Sequence, residues 1–244
     1  DLAGLASVQQ QLGNWTEAVS FANKALAAAA DFRYSIPYID IVDDAQTNRI
    51  YVAGAAVPYK ANSQIFTWIE QYNPAGPDSI ADGDPRVAWE ISGENGDAAS
   101  ACCGLIGWYP QQKYQDFDSP IELSSDEEMQ LILAEDHLRN GDFNDAMDIV
   151  NALRTAAGQT AETAANATEA LTFYKREHAI EMWLEGRRLS AMRRWMEAGD
   201  DESTLQQEEQ VAFADAHLTT RDFCFPVSRG EKQTNPNIDI AFPG

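Results

Sequence analysis

"NGDFNDAMDIVNALRT", residues Asn140 to Thr155, repeats a pattern already present in "LGNWTEAVSFANKALA", residues Leu12 to Ala27. Each stretch has a Gly, a polar residue, an aromatic, two further residues and then an Ala: Gly13, Trp15 and Ala18 in one, Gly141, Phe143 and Ala146 in the other. Apolar positions then continue at three- and four-residue steps. They are Phe21, Ala22 and Ala25 in the first copy, and Ile149, Val150 and Leu153 in the second. Such spacing lines one face of a helix. A helical stretch precedes each copy, Leu2 to Leu12 and Met129 to Leu138. The Gly ends the first helix where a left-handed residue is needed. The aromatic covers the turn, and the small Ala lets the two helices approach closely. Two antiparallel helix pairs are predicted, over residues 2–27 and 126–155.

This unit resembles the tetratricopeptide repeat, whose copies of about 34 residues stack side by side. Here the two glycines are 128 positions apart (141 − 13). The sequence between the hairpins, 31–125, has a different character. "YNPAGPDSIADGDPR" (Tyr72 to Arg86) and "SGENGDAAS" (Ser92 to Ser100) are loop sequence, and "RIYVAGAAV" and "QIFTWIEQY" are short strands or helices. The prediction is a mainly α chain, one domain over 1–244. A hairpin (1–30) is followed by a loop-rich excursion (31–125), then a hairpin plus a long helix (126–200), then a C-terminal loop and return strap (201–244). Loops on a rigid scaffold are where function concentrates, so the excursion is the candidate binding region. "SSDEE", Ser124 to Glu128, offers Ser124 with Glu127 or Ser125 with Glu128 as a capping box for the helix that follows.

Composition narrows the function. The net charge is −22 and the isoelectric point about 4.3, so the surface repels phosphate backbones and argues against a nucleic-acid partner. Mean hydropathy is −0.40, and no apolar run approaches the roughly 20 residues of a membrane-spanning helix. The opening "DLAGLASVQQ" reads as mid-helix, so a longer parent chain is expected, with any targeting segment upstream. Three cysteines, Cys102, Cys103 and Cys224, lack metal spacing. Either Cys224 bonds Cys102 or Cys103, or all three are reduced. His137, His178 and His217 form no metal pair, and no nucleophile elbow, phosphate loop or dinucleotide fingerprint is present. Neither a catalytic group, nor a metal, nor a cofactor is predicted.

"FYKREHAIEMWLEGRRLSAMRRWMEAGD", Phe173 to Asp200, reads as one helix with Glu177, Glu181, Leu184, Arg188, Met192 and Trp195 on a single stripe. Glu177, Glu181, Glu185 and Arg188 are therefore expected to form a structural ion-pair network, since charges on a buried stripe need partners. The excursion carries Trp68, Tyr72, Trp89, Trp108, Tyr109 and Tyr114. Flat aromatics suit the apolar faces of sugar rings, and neighbouring amides such as Gln111 and Gln112 can bond hydroxyls. Trp108, Tyr109, Tyr114, Trp68 and Tyr72 are the candidate ligand contacts. Trp68 and Trp89 are also candidates for plain core residues.

Four elements in order then resemble the SusD/RagB family. They are "DPR" (Asp84 to Arg86), the hairpin "LILAEDHLRNGDFNDAMDIVNALRTAAG", the helix "REHAIEMWLEGRRLSAMRRW" and the tail "CFPVSRGEKQTNPNI". One departure is Ala191, where the family usually has Asp. Another is length: members are about twice as long, so the N-terminal part of the family fold is expected to be absent from this chain. The resemblance implies a non-enzymatic lipoprotein of the bacterial outer membrane, anchored through a segment upstream of this chain. It would capture oligosaccharide or another nutrient for a SusC-like TonB-dependent transporter. The alternative is a tetratricopeptide-type interaction scaffold without a small ligand. The resemblance also implies that the Pro226- and Pro236-punctuated tail returns along the scaffold, with Phe225 and Val227 packed onto it.

Overall fold

The computed structural model of the chain describes residues 2–40, 46–54, 84–90, 92–94 and 110–199. In chain order the elements are α1 (Leu2–Gln11), α2 (Trp15–Ala28), β1 (Arg33–Ile36), α3 (Arg49–Gly54), β2 (Ile121–Ser125), α4 (Asp126–Asn140), α5 (Phe143–Ala156), α6 (Ala167–Glu181) and α7 (Arg188–Glu197). The protein is mainly helical, as predicted, and both hairpins form.

The local causes are those read from sequence. Gly13 and Gly141 adopt φ of 76° and 87°, and the Gly141 N–H bonds back to the carbonyls of His137 and Leu138. A Cβ at either glycine would meet open space, so the requirement for Gly is conformational. At the start of α4 the Ser125 hydroxyl accepts from the Glu128 N–H at 3.3 Å. The Ser125–Glu128 pair thus provides the cap, and Asp126, Glu127 and Glu128 in the first turn oppose the helix dipole. Asn166 caps α6 in the same way, accepting from the Glu169 N–H at 3.0 Å.

α4 is the shared wall of two cores. Met129 and Ile132 pack against Ala3, Ala6, Ala18, Ala22 and Ala25 of the first hairpin. Leu131 and Ala134 face Met147, Val150, Leu153, Ala170, Tyr174, Met192 and Trp195. Ala6, Ala18 and Ala22 are wholly buried; a larger side chain at any of them would push two helices apart. β1 and β2 pair antiparallel, Arg33 with Ser125 and Ile36 with Ile121, with a shift between Tyr34 and Ser35. This two-stranded ribbon closes the neck of the excursion where it leaves the scaffold.

The single helix predicted across residues 173–200 is a correction. α6 stops at Glu181, and α7 starts at Arg188. Between them Leu184 (φ 61°) and Gly186 (φ 76°) take left-handed conformations, closed by Trp183 N–H to Ile180 carbonyl and Glu185 N–H to Met182 carbonyl bonds, both 3.2 Å. Tertiary packing overrides the helical period: Trp183 turns into a cluster with Val87 and Ile180. Arg188 therefore opens a new helix and no longer continues the Glu177–Glu181 stripe.

A buried polar junction joins four helices. Glu135 of α4 receives both the Nε and an Nη of Arg194 (2.9 and 2.7 Å), the Tyr174 hydroxyl (2.8 Å) and the Gln10 amide (3.2 Å). Beside it, His178 packs edge-on to Tyr174 and Trp195. Burial, then the charges of Arg194, Arg188 and Arg187, hold its pKa down to about 3. The folded protein keeps His178 neutral while the unfolded chain protonates it near pH 6.5. Its stabilising contribution is present in full above that pH and is lost as pH falls towards 3. His178→Phe should therefore remove part of the acid sensitivity: the parent's melting temperature should decline relative to the variant's from pH 7 to pH 4. Parallel profiles would rule out a neutral buried His178.

Candidate functional site

The excursion returns to the scaffold at the break between α6 and α7. Three separate pieces of it converge there or on one another. Asp84 and Arg86 come first. The Arg86 Nε and Nη2 donate to the two oxygens of Asp84 at 2.9 and 2.7 Å. Its Nη1 donates to Glu177 at 2.6 Å and also to Glu181. Glu177 is fully buried and has Arg154 Nη1 at 3.6 Å as a second cation. Burial acts against the charge on Arg86, but the bonds to Asp84 and Glu177 outweigh it and hold the guanidinium protonated. Burial pushes the carboxyls of Glu177 and Glu181 up, and Arg86 partly offsets that.

The second piece carries Lys113. Its Nζ donates to Glu185 at 2.6 Å and to the Trp183 carbonyl at 2.8 Å. Glu185 is pushed up to about 7 by burial, with Lys113 opposing. These two pieces also pair with each other: the Glu90 N–H donates to the Pro110 carbonyl at 3.0 Å and the Gln112 N–H to the Ala88 carbonyl at 2.7 Å, forming a bridge between Trp89 and Gln111. The third piece is Asn48, whose amide bonds the Ser119 carbonyl at 2.8 Å, while Tyr51 packs edge-on to Phe117 at 5.1 Å. Residues 84–90 and 110–119 thus form a base fastened to the helical scaffold by charge, backbone pairing and rings.

Several predicted residues fall differently. The ion-pair network exists, but the cation bonded to Glu177 and Glu181 is Arg86 from the excursion, and the one bonded to Glu185 is Lys113. Arg188, displaced by the helix break, adds positive potential at His178. Sequence reading missed Arg86 and Lys113 because ion pairs were sought along one helix. The signal was "DPR" itself, an Arg fixed by its neighbouring Asp. Tyr114 is a further correction: it is 3% exposed, with its hydroxyl 3.5 Å from the Leu184 carbonyl, so it offers no open face. Gln111 is buried and exchanges two bonds with the Tyr114 backbone, both 2.8 Å. Trp89 is buried, as a core residue would be. Trp68, Tyr72, Trp108, Tyr109, the three cysteines and the tail lie outside the described residues.

A cleft of about 340 Å³ opens beside the neck, between Asp31 and Arg33, the first turn of α4, the last turn of α5, Arg86 and Glu181. Arg33 bridges Glu122 (2.7 Å) and Glu127 there. Burial raises Asp126 to about 6, and its contact with Glu127 adds to that. Among the described residues, His137, Asp142 and Asp145 bring ligand atoms within 4.8 Å of one another and could hold a metal ion. They lie at the α4–α5 turn, where both aspartates are exposed and no buried ligand completes a site. The carboxylates Glu177 and Glu181 are committed to Arg86, an arrangement suited to fixing a loop and not to proton transfer.

Residues 127–241 match the SusD family model, a span that begins in the first turn of α4 and takes in α5, α6 and α7. A SusD-like protein from Bacteroides fragilis has a similar structure, with a TM-score of 0.57 at 15% identity over 81% of this chain and 54% of that one. SusD superfamily proteins from Bacteroides vulgatus (TM-score 0.54, 16% identity, 84% of this chain and 54% of that one) and Parabacteroides distasonis (0.53, 13%, 79% and 51%) are also similar. This chain spans about half the length of those structures. No curated protein matches it in sequence. At such identities the structural likeness is one of fold, and the matched segment holds the hairpin and the Glu177-to-Trp195 region that dock the excursion. The matched segment, residues 127–241, is thus SusD-family sequence, and the fold of the described residues is like that of SusD-like proteins.

Proposed function

We propose that the protein is a non-enzymatic binding protein of the bacterial cell surface. It would capture an oligosaccharide or similar nutrient on the excursion and deliver it to a SusC-like TonB-dependent transporter in the outer membrane, held there by a lipid anchor outside this chain. The observation that carries this reading is the fastened base of the excursion, docked on a segment that matches the SusD family. Arg86, Lys113 and the Trp89–Gln111 bridge anchor residues 84–90 and 110–113, and Trp108 and Tyr109 directly precede the anchored Pro110 in sequence. A binding loop gains affinity when its base is already ordered. Among the described residues no helix is long and apolar enough to cross a membrane, in keeping with attachment by lipid.

The test is a glycan array run beside a hydrolysis assay on the same sugars. Binding without turnover supports the reading; turnover would replace it with a hydrolase. Trp108→Ala should weaken the bound sugar by roughly 5- to 150-fold, the loss of one aromatic anchor, with an unchanged melting curve. Unchanged affinity would remove Trp108 from the site.

The second reading, an interaction scaffold, is favoured by a different surface. Leu5, Val8 and Leu12 of α1 are 43%, 53% and 66% exposed. An apolar groove of about 530 Å³ lies between Leu2, Ala25, Ala28, Phe32 and Tyr34. If no sugar binds, and Leu5→Glu with Val8→Glu abolishes capture of a protein from the outer membrane, this second reading holds.

A further inference from the structure

Among the described residues, the exposed large hydrophobics fall on two neighbouring parts of the fold. Leu5, Val8 and Leu12 belong to α1 and the turn after it, and Tyr34, Ile36 and Leu123 to the β1–β2 ribbon, which α1 touches through β2. Leu2, Leu5, Val8 and Leu12 follow one another at three- and four-residue steps, so they form one stripe along α1. The other face of the helix, with Ala3, Ala6 and Gln10, is buried. Leu2 is also a wall of the groove of about 530 Å³, opposite Ala25, Ala28, Phe32 and Tyr34. Stripe and groove therefore make one continuous apolar surface. It is also an uncharged surface. Residues 2–16 contain no Asp, Glu, Lys or Arg, whereas charged residues make up 23% of the whole chain. The six exposed side chains together present roughly 600 Å², as much as the largest apolar patch of an ordinary monomer. With the groove walls added, the surface approaches the roughly 800 Å² that each partner buries in a standard interface.

We infer that this surface is the interface of a two-fold homodimer, and that its occupant is a second copy of the chain. This goes beyond the binding function and does not depend on it. The charge pattern selects the occupant. A basic partner would be drawn to the acidic surface of a chain with net charge −22 and has no need of an uncharged face. Two copies of that chain repel each other everywhere except where charge is missing, and α1 with its groove is such a place. A two-fold axis requires the same patch on both copies. Here the patch holds both a ridge, Leu5 and Val8, and a groove beside it, so the ridge of each copy can enter the groove of the other.

The experiment is sedimentation velocity of the chain from about 1 to 100 μM, where a monomer–dimer equilibrium is expected. The contact is apolar and the two bodies carry charge of one sign. The dimer should therefore tighten by at least about threefold between roughly 0.05 M and 0.5 M salt. Leu5→Glu with Val8→Glu should weaken it by at least about 30-fold, with an unchanged melting curve for the monomer, since both side chains are half-exposed. Tyr34→Glu, on the far wall of the groove, should act in the same direction, so a folding defect in one variant does not decide the result. Asn144→Glu with Thr155→Glu adds the same charge to exposed positions of α5 and should weaken the dimer by no more than about threefold. A chain that stays monomeric over this range overturns the inference. So does a dimer indifferent to the α1 and Tyr34 variants, or one that loosens as salt rises. A monomer that captures a different protein through Leu5 and Val8 assigns the surface to that partner and overturns the dimer. Sugar binding is measured separately, so its failure and the failure of the dimer are distinguishable.

Discussion

Replacing Glu135 by Ala should lower stability by about 3–5 kcal/mol, the usual effect of removing one partner from a buried ion pair. The carboxylate is 2% exposed and Arg194 8%. Without Glu135 the guanidinium loses both of its bonds to that carboxylate, and the Tyr174 hydroxyl, wholly buried, loses its acceptor. Gln10 loses its tie from α1 to α4 as well. For a chain of this size that corresponds to a fall in melting temperature of roughly 6–20 °C, read by calorimetry at pH 7. The double variant Glu135→Leu, Arg194→Met separates two explanations. Packing the junction with apolar groups should recover much of the loss, because the larger part of it is the stranded charge. A melting temperature for Glu135→Ala within 2 °C of the parent would mean that the junction is not closed to water.

Arg86→Ala is expected to have a comparable effect, for a different reason. It strands Glu177, which is wholly buried, and Glu181, which is largely so, and leaves Arg154 at 3.6 Å as the remaining cation near Glu177. The stability loss should again be about 3–5 kcal/mol, but it should be accompanied by release of the excursion. Amide exchange at Glu90 and Gln112 should accelerate in Arg86→Ala by more than the loss of global stability explains, while the amides of α4 lose only what the global loss accounts for. Arg188→Ala should cost less than Arg86→Ala. The reverse order would restore the single-helix stripe suggested by the sequence and remove Arg86 as the fastening residue.

The part of this fold that the sequence reveals is the part governed by neighbours in the chain. Gly13 and Gly141 mark turns because a left-handed residue is needed there whatever surrounds it. Ser125 and Glu128 mark a helix start because the cap is a three-residue interaction. Ala18 and Ala146 mark a close helix contact because only a small side chain permits one. The resemblance to the SusD family, matched over residues 127–241, was legible for the same reason, since its motifs are short and local.

What the tertiary structure alone decided is where the long-range partners are. The stripe from Glu177 to Trp195 obeys helical periodicity, yet the helix breaks at Met182, because burying Trp183 against Val87 of the excursion outweighs one more turn of backbone hydrogen bonds. Periodicity describes the helix itself and contains nothing about a residue some 95 positions away. Arg86 and Glu181 are separated by that distance in sequence and bonded in space, and Lys113 meets Glu185 across 72 positions. Tyr114 shows the same limit. An aromatic in a loop sequence has an ordinary chance of being exposed, and only the return of the excursion to the α6–α7 break buries it. Apart from the break after Glu181, helices, caps and turns were set by residues within one turn of each other. Which charges pair, and which rings remain open to a ligand, was set by how the excursion docks, and that depends on contacts whose free energy is realised only once the whole scaffold has formed.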